Sequence, residues 1–329
     1  MKNDIDIVVP WVDGNDPEWL AEKRKFIPNA GNDDNINRYR DWKLLRYWFR
    51  GVEKYAPWVR KIHFITWGHI PEWLNTDNPK LNIVKHEDYI PEKYLPVFSS
   101  HPIELNMYRI VDLAEQFIYF NDDLFFNDFC VPEDFFIDGK PVDNVTEVPL
   151  RFREGGIDHI IGNDMAVINK HFNKKETIKK NRKIWFSFKT PNATLKNLYM
   201  LPVNGFSAFD NPHLPQPFFK SALEDVWQAE EKLLDETCSH RFRSNEDVSQ
   251  WLFRYWQFAT GNIVQREKPR GKFLSIGRDN NEIREAILNK KYKTVCLSDD
   301  DVNCDFQKEQ SFLHELFEKA LPEKSSFEK

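Results

Sequence analysis

Three observations predict an α/β protein, Rossmann-like, with a largely parallel sheet flanked by helices. The chain enters an apolar run, Ile5 to Pro10, almost at once, as a buried first strand does. Extended and helical patterns then alternate in the order β–α–β–β–α–β, which a doubly wound sheet produces. The third is Phe117-Ile118-Tyr119-Phe120-Asn121-Asp122-Asp123-Leu124-Phe125-Phe126, an aromatic and β-branched run interrupted by three short polar side chains. A chain of 329 residues is expected to form a single domain. Its parts are an α/β half over 1–126, an irregular insertion covering the sheet edge over 127–205, and a helical half over 206–329.

The first strand runs into Trp11-Val12-Asp13-Gly14-Asn15-Asp16-Pro17, a turn-rich segment. Pro28 to Asn37 is Asn/Asp-rich and reads as a loop. Asp41 reads as the cap of an amphipathic helix with Trp42, Leu45, Phe49 and Val52 on one face and Lys43, Arg46, Arg50 and Lys54 on the other. Strands follow at Lys61–Trp67 and Leu81–Lys85. Ser99-Ser100-His101-Pro102-Ile103-Glu104 has the composition of a helix start. The spacing of Ile103, Met107, Ile110, Val111 and Ala114 predicts a helix over 103–116, leading into a strand over 117–120. Beyond Asn127 the pattern weakens, and Lys174 to Lys183 is strongly basic. It reads as a solvated helix face or as a surface for an anionic acceptor or membrane. Helices return at Lys220–Leu234 and Trp251–Phe258, with Ser244-Asn245-Glu246-Asp247 resembling a cap. A final helix holds Phe312, Leu313, Leu316, Phe317 and Ala320, after the acidic run Asp299-Asp300-Asp301 that reads as a solvated cap.

Composition narrows the function classes. A net charge of −6 and a pI near 5.9 argue against nucleic-acid binding. The 27 Phe and 11 Trp supply a core, with some rings available to line a sugar-handling cleft. No apolar run approaches the roughly 18 residues of a membrane span, and the N-terminus lacks the apolar segment of a signal peptide. Cys130, Cys238, Cys296 and Cys304 form no C-x-x-C pair and read as reduced thiols. A cytoplasmic protein, acting at the inner face of the membrane, is the expectation.

Open α/β sheets bind ligands beyond the carboxyl ends of their strands. Asn121, Asp122 and Asp123 would sit at such an end, and so would Trp11, Asp13 and Gly14. Carboxylates there are costly unless a cation, a donor or water satisfies them. Glu104 would project nearby and complete an acidic cluster. Arg38, Arg40, Arg46 and Arg50 form a basic group close to the same edge, and His213 is held between Pro212 and Pro215.

Four regions, taken in order, resemble the blocks that define the Stealth family. They are Ile5–Gly14; Arg38–Glu104 running on into Ile118–Phe126; His213–Pro215 with Arg243–Asp247; and Cys296–Glu328. That family comprises bacterial capsular and cell-surface polysaccharide phosphotransferases. It also includes the catalytic subunit of the animal lysosomal-enzyme N-acetylglucosamine-1-phosphotransferase. The resemblance implies transfer of a sugar-1-phosphate from a UDP-sugar to a glycan hydroxyl, with UMP leaving. Residue by residue it implies catalytic roles for Glu104, Asp123, His213 and Arg243. The animal member carries Asn where Asp13 stands.

The chemistry agrees with these residue types. Phosphoryl transfer needs positioning and neutralisation of phosphate charge. Arg243, aided by Arg40 and Arg46, suits a pyrophosphate clamp. Asp122 and Asp123 suit Mg²⁺ or Mn²⁺. His213 suits a general base on the acceptor, and a phospho-histidine route is equally open to it. Trp11, Asp13, Gly14, Arg40 and Arg46 are expected on the nucleotide-sugar side. The expected partners are a UDP-sugar donor and a glycan acceptor, which can be lipid-linked. A metal-dependent glycosyltransferase releasing UDP and a non-catalytic carbohydrate-binding protein are the alternatives.

Overall fold

The computed structural model describes residues 4–27, 40–153, 156–266, 271–300 and 304–329. The expected Pro28–Asn37 loop, Arg38 and Asp301 lie outside them. Eight strands organise the molecule: β1 (Ile5–Pro10), β2 (Ile62–Thr66), β3 (Leu81–Lys85), β4 (Gln116–Tyr119), β5 (Leu124–Phe126), β6 (Gln216–Phe219), β7 (Gly271–Ser275) and β8 (Thr294–Ser298). The main sheet has the order β6-β4-β1-β2-β3. Its first four strands in sequence are parallel, and β6 is an antiparallel edge. The interior strands β1 and β2 are buried almost throughout, which accounts for their near-continuous apolar runs. One hydrophobic core lies on each face of this sheet: Val8, Phe117 and Tyr119 point into one, Ile7, Val9 and Ile118 into the other.

A second sheet, β7-β8-β5, hangs from the end of β4 and was not apparent in the sequence. β8 runs parallel to β7 and antiparallel to β5. Gly271 opens β7 with another backbone pressed against it. A β-carbon there would overlap Thr294 Oγ1 and Leu214 Cδ2.

Several local expectations are corrected. The helix expected over 103–116 is confined to Ser100–Leu105, followed by a 3₁₀ turn at Met107–Arg109. Buried Asn106 ends it, donating to Pro102 O at 2.8 Å and Cys238 Sγ at 3.3 Å, while Val111 is exposed. Asp41 does not cap the next helix, which begins at Leu45. It accepts from the Lys43 amide instead, at 2.7 Å. Arg50 is not on a solvated face. It is buried and forms a fork with Glu328, Nε–Oε1 2.8 Å and Nη2–Oε2 3.0 Å. Lys174 is likewise buried, 2.9 Å from Glu147 Oε1.

The weakly patterned segment 127–205 carries short β pairings and several helices. In Asp158–His171, residues Ile160, Ile161, Asp164, Met165, Val167 and Ile168 are all buried. Burial on more than one side blurs the helical period that the sequence would otherwise display.

Candidate active site

Strand directions bring the site together. β1 and β4 are parallel with Val8 opposite Tyr119, so Pro10-Trp11 and Asn121-Asp122 leave the sheet at one edge. β6 is antiparallel to β4 with Gln216 opposite Tyr119, so the segment before β6, which holds His213, meets that edge too. β8 is antiparallel to β5 with Cys296 opposite Leu124, which carries Ser298, Asp299 and Asp300 past Asp123. The Leu297 amide donates to Asp123 O at 2.9 Å and fixes that junction.

The result is a cleft of about 750 Å³. Its lining includes Trp11, Arg40, Asp41, Glu104, Asn121, Asp122, Asp123, His213, Arg243, Asp299 and Asp300. Of the residues singled out in the sequence, Glu104, Asp122, Asp123, His213, Arg243, Trp11 and Arg40 therefore share one cavity. Asp13 and Gly14 are not part of the lining. They form the turn after β1, where the Asp13 amide donates to His69 Nε2 at 2.7 Å. Arg46 is not brought in either; its guanidinium stacks over the Trp73 ring at 5.2 Å.

Among the described residues, the acidic end of the cleft is poor in donors. Asp123 Oδ2 stands 3.5 Å from His213 Nε2 and 3.4 Å from Cys296 Sγ. Its Oδ1 is buried without a hydrogen-bond partner among the described residues. Asp122 is open to the cleft yet walled by protein. Desolvation and the Asp123 charge push its carboxyl up to about 7. Burial and the Asp13 charge also raise Asp41. For His213, burial works against the imidazolium, but Asp123 outweighs it and raises the pKa. His213 takes a left-handed backbone, φ 47°, a strained conformation held by the flanking segment.

Glu104 is buried in the floor. Tyr119 Oη donates to its Oε1 at 2.8 Å, and its Oε2 has no partner among the described residues. Arg243 is exposed in the opposite wall, donating to Ser100 Oγ at 3.0 Å. Its loop is clamped by Asp247, which is wholly buried; the expected cap at 244–247 is not formed, because the helix Trp251–Thr260 starts after Gln250 with no acid in its first turn. Asp247 receives His101 Nδ1 and His240 Nδ1, each at 2.7 Å, and the Ser244 amide at 3.0 Å. His101 belongs to the helix that carries Glu104, so one carboxylate ties the two walls together.

An unpartnered buried carboxylate oxygen beside a second carboxylate with a raised pKa is an arrangement that a cation relieves. Asp122 and Asp123 therefore fit a hard divalent ion. Asp123, His213 and Cys296 also converge closely enough to share one. Burial and Asp123 raise the Cys296 thiol well above its usual range, which disfavours the thiolate that binds metals.

Comparison with known proteins decides the family. Conserved region 1 of Stealth proteins matches residues 3–31, and conserved region 2 matches residues 38–143. Capsular polysaccharide phosphotransferase WcwK of Streptococcus pneumoniae is 41% identical over 334 residues, covering 100% of both chains. This chain belongs to the Stealth family. Two further relatives match along nearly the full length. Exopolysaccharide phosphotransferase cps2G of Lactiplantibacillus plantarum is 38% identical, covering 99% of this chain and 96% of its own. Receptor polysaccharide phosphotransferase WefC of Streptococcus gordonii is 37% identical, covering 100% of both. The chain is an enzyme, and its role lies in polysaccharide synthesis. Among solved structures, galactosyltransferase LgtC aligns over 98% of both chains with a TM-score of 0.39 and 10% identity. That likeness is too distant to bear on the reaction of this Stealth protein.

Asn121 lines the cleft at the strand end where the sequence placed it, whereas Asp299, Asp300 and Cys296 are lining or contact residues that sequence reasoning did not assign. A signal for Asp299 and Asp300 was present. An apolar strand ending abruptly in carboxylates occurs twice, at Phe120–Asp123 and at Leu297–Asp300.

Proposed function

We propose that this enzyme transfers a sugar-1-phosphate, of a hexose or N-acetylhexosamine, from a UDP-sugar to a glycan hydroxyl, forming a phosphodiester in a capsular or surface polysaccharide. The acceptor oxygen bonds to the sugar-linked phosphorus, the bond from that phosphorus to the bridging oxygen breaks, and UMP leaves. The observation that carries this reading is the meeting of Glu104, Asp122, Asp123, His213 and Arg243 in one cleft.

His213 Nε2 takes the proton of the attacking hydroxyl, and Asp123 stabilises the imidazolium so formed. Arg243, already oriented by Ser100 Oγ, contributes its fork to the phosphates. The open Glu104 Oε2 accepts a hydrogen bond from a sugar hydroxyl, with Tyr119 fixing the carboxylate. Trp11, stacked on Phe64 at 5.6 Å, offers a flat wall for the uracil. Arg40 is anchored by Asp299 at 3.4 Å and faces the same space. Asp122 and Asp123 would hold Mg²⁺ or Mn²⁺. When bound, such an ion neutralises charge on the phosphate oxygens. Donor chemistry of this kind takes place in the cytoplasm, on an acceptor carried at the inner membrane face.

Product identity tests the reading. Incubation with UDP-sugars, Mg²⁺ or Mn²⁺ and a capsule-type acceptor should release UMP only when acceptor is present. Release of UDP would mean attack at the anomeric carbon and would replace this function with ordinary glycosyl transfer.

A further inference from the structure

Exposed apolar side chains are not spread evenly over this molecule. Of the fourteen large hydrophobics that stand exposed among the described residues, six fall between Phe188 and Val203: Phe188, Leu195, Leu198, Tyr199, Leu201 and Val203. The helix Pro191–Met200 explains the arrangement. It buries Ala193, Asn197 and Met200, spaced four and three apart, against the body of the protein. Asn197 locks that face, donating to Val145 O at 2.9 Å and Trp185 O at 3.0 Å while accepting from the Glu147 amide at 2.7 Å. Leu195, Leu198 and Tyr199 are thereby turned outward. Phe188 sits beside the helix start, because its neighbour Ser187 exchanges hydrogen bonds with Thr194 at 2.9 and 3.0 Å. Its own ring is fully exposed, and Tyr199 is 78% exposed.

Around this patch the charge is one-sided. Lys175, Lys179, Lys180, Arg182, Lys183, Lys189 and Lys196 are all exposed, and Glu176 is the one acid between His171 and Asn204. No carboxylate among the described residues pairs with any of these seven cations. In a protein whose net charge is −6, this concentration of positive charge marks a specific face. Leucines and aromatic rings next to unpaired lysines are the composition of surfaces that enter the boundary of an anionic bilayer. A second copy of this chain is a poorer occupant, since a two-fold contact would set the same cations against each other. Among the described residues no helix is long and apolar enough to cross a membrane, so any attachment by this chain through them is peripheral.

We propose that Lys175–Val203 is a membrane-docking face. Leu195, Leu198, Tyr199 and Phe188 insert among the headgroups of an anionic lipid surface, and the surrounding lysines bind its phosphates. The proposal does not rest on the reaction, and its deciding readout, binding to vesicles, involves no turnover.

Flotation of the full chain with vesicles tests it. Binding should be strong to phosphatidylcholine mixed with phosphatidylglycerol, weak to phosphatidylcholine alone, and should decline with added salt. Each lysine at the headgroups is worth about fivefold in partitioning. The combined Lys179→Glu, Lys180→Glu and Lys183→Glu variant should therefore lose at least about a hundredfold. Leu198→Ser with Tyr199→Ser should weaken binding while leaving turnover of a soluble acceptor intact. Phe188→Ser provides a second apolar probe at a side chain that carries no packing. Equal binding to neutral and anionic vesicles, or unchanged binding by the lysine variant, would overturn the proposal. So would a solution dimer that dissociates on Leu198→Ser with Tyr199→Ser, which would assign the face to a second copy.

Discussion

Asp123 and Asp143 stand in opposite electrostatic situations. Asp143 is saturated. Arg254 grips both its oxygens, Nε–Oδ2 2.6 Å and Nη2–Oδ1 2.8 Å; Gln216 donates to Oδ2 at 2.6 Å and the Asn144 amide to Oδ1 at 2.6 Å. Asp123 has one oxygen shared between a histidine and a thiol at long range, and the other without a partner among the described residues. Both regions hold buried charge. One has spent its hydrogen-bonding capacity on the fold, and the other keeps it for a ligand. Single unpartnered carboxylate oxygens occur elsewhere, at Asp134 and Glu147, but those residues are each bound to a lysine; among the described residues Asp123 and Glu104 lack such a cation, and they face one cleft.

That contrast predicts opposite failures. Arg254→Leu leaves the largely buried Asp143 carboxylate without its counter-charge, and should cost about 3–5 kcal/mol of folding free energy. Denaturant unfolding would measure it. Arg254 Nη1 also holds Asp210 O at 2.9 Å and Asn211 Oδ1 at 2.6 Å ahead of His213, so the fraction that folds should lose some kcat, but far less than Asp123→Ala does. Asp123→Ala should do the reverse: activity falls at least about 10²-fold while stability holds or rises, because repulsion with Asp122 is removed. An Asp123→Ala protein that unfolds early while the folded fraction stays active would erase the distinction.

Asp247 lies between the two extremes, saturated itself yet holding the Arg243 loop. Asp247→Asn should cost about 2 kcal/mol through its charged hydrogen bonds, and should lower kcat as Arg243 loses its anchor. Burial opposes the Asp247 charge, but the His101 and His240 bonds prevail and depress its pKa in the folded state. Its contribution is therefore complete above the unfolded carboxyl pKa, about 3.9. It is lost as pH falls through the lower folded value. Stability curves of the parent and Asp247→Asn should run parallel near neutrality and converge only in strong acid. An effect of similar size is expected at Gly271→Ala, where crowding of Thr294 and Leu214 should cost about 1–3 kcal/mol. It should also shift the His213 segment, and a kcat loss without a change in donor KM would sharpen the assignment of that segment to chemistry.

Sequence made the local elements legible. Ile5–Pro10, Leu81–Lys85 and the start of the helix at Lys220 needed only a strong pattern, and they lie where that pattern put them. The helix over 103–116 failed because buried Asn106 takes the backbone's partners, a tertiary event that spacing does not reveal. β5 and β8 are short and pair across some 170 residues of chain, so nothing local announces their sheet. At the site, the residues at β-strand ends were legible as chemistry. Arg46 and Arg50 were not: on a helix that the sequence shows as amphipathic, one stacks on Trp73 and the other is buried by Glu328. Asp299 and Asp300 read as a solvated cap because their strand's partner was invisible.

The antiparallel pairing of β5 with β8 also bears on when this enzyme can first act. During synthesis the early strands emerge long before Cys296 and Leu297, at about 5–20 residues per second. Until those late residues zip against Leu124, neither the amide that holds Asp123 nor the carboxylates of Asp299 and Asp300 are in place. A chain that has made β6 can thus already gather Glu104, Asp123 and His213 at one edge, but the wall that holds Asp123 and adds Asp299 and Asp300 closes only with β8.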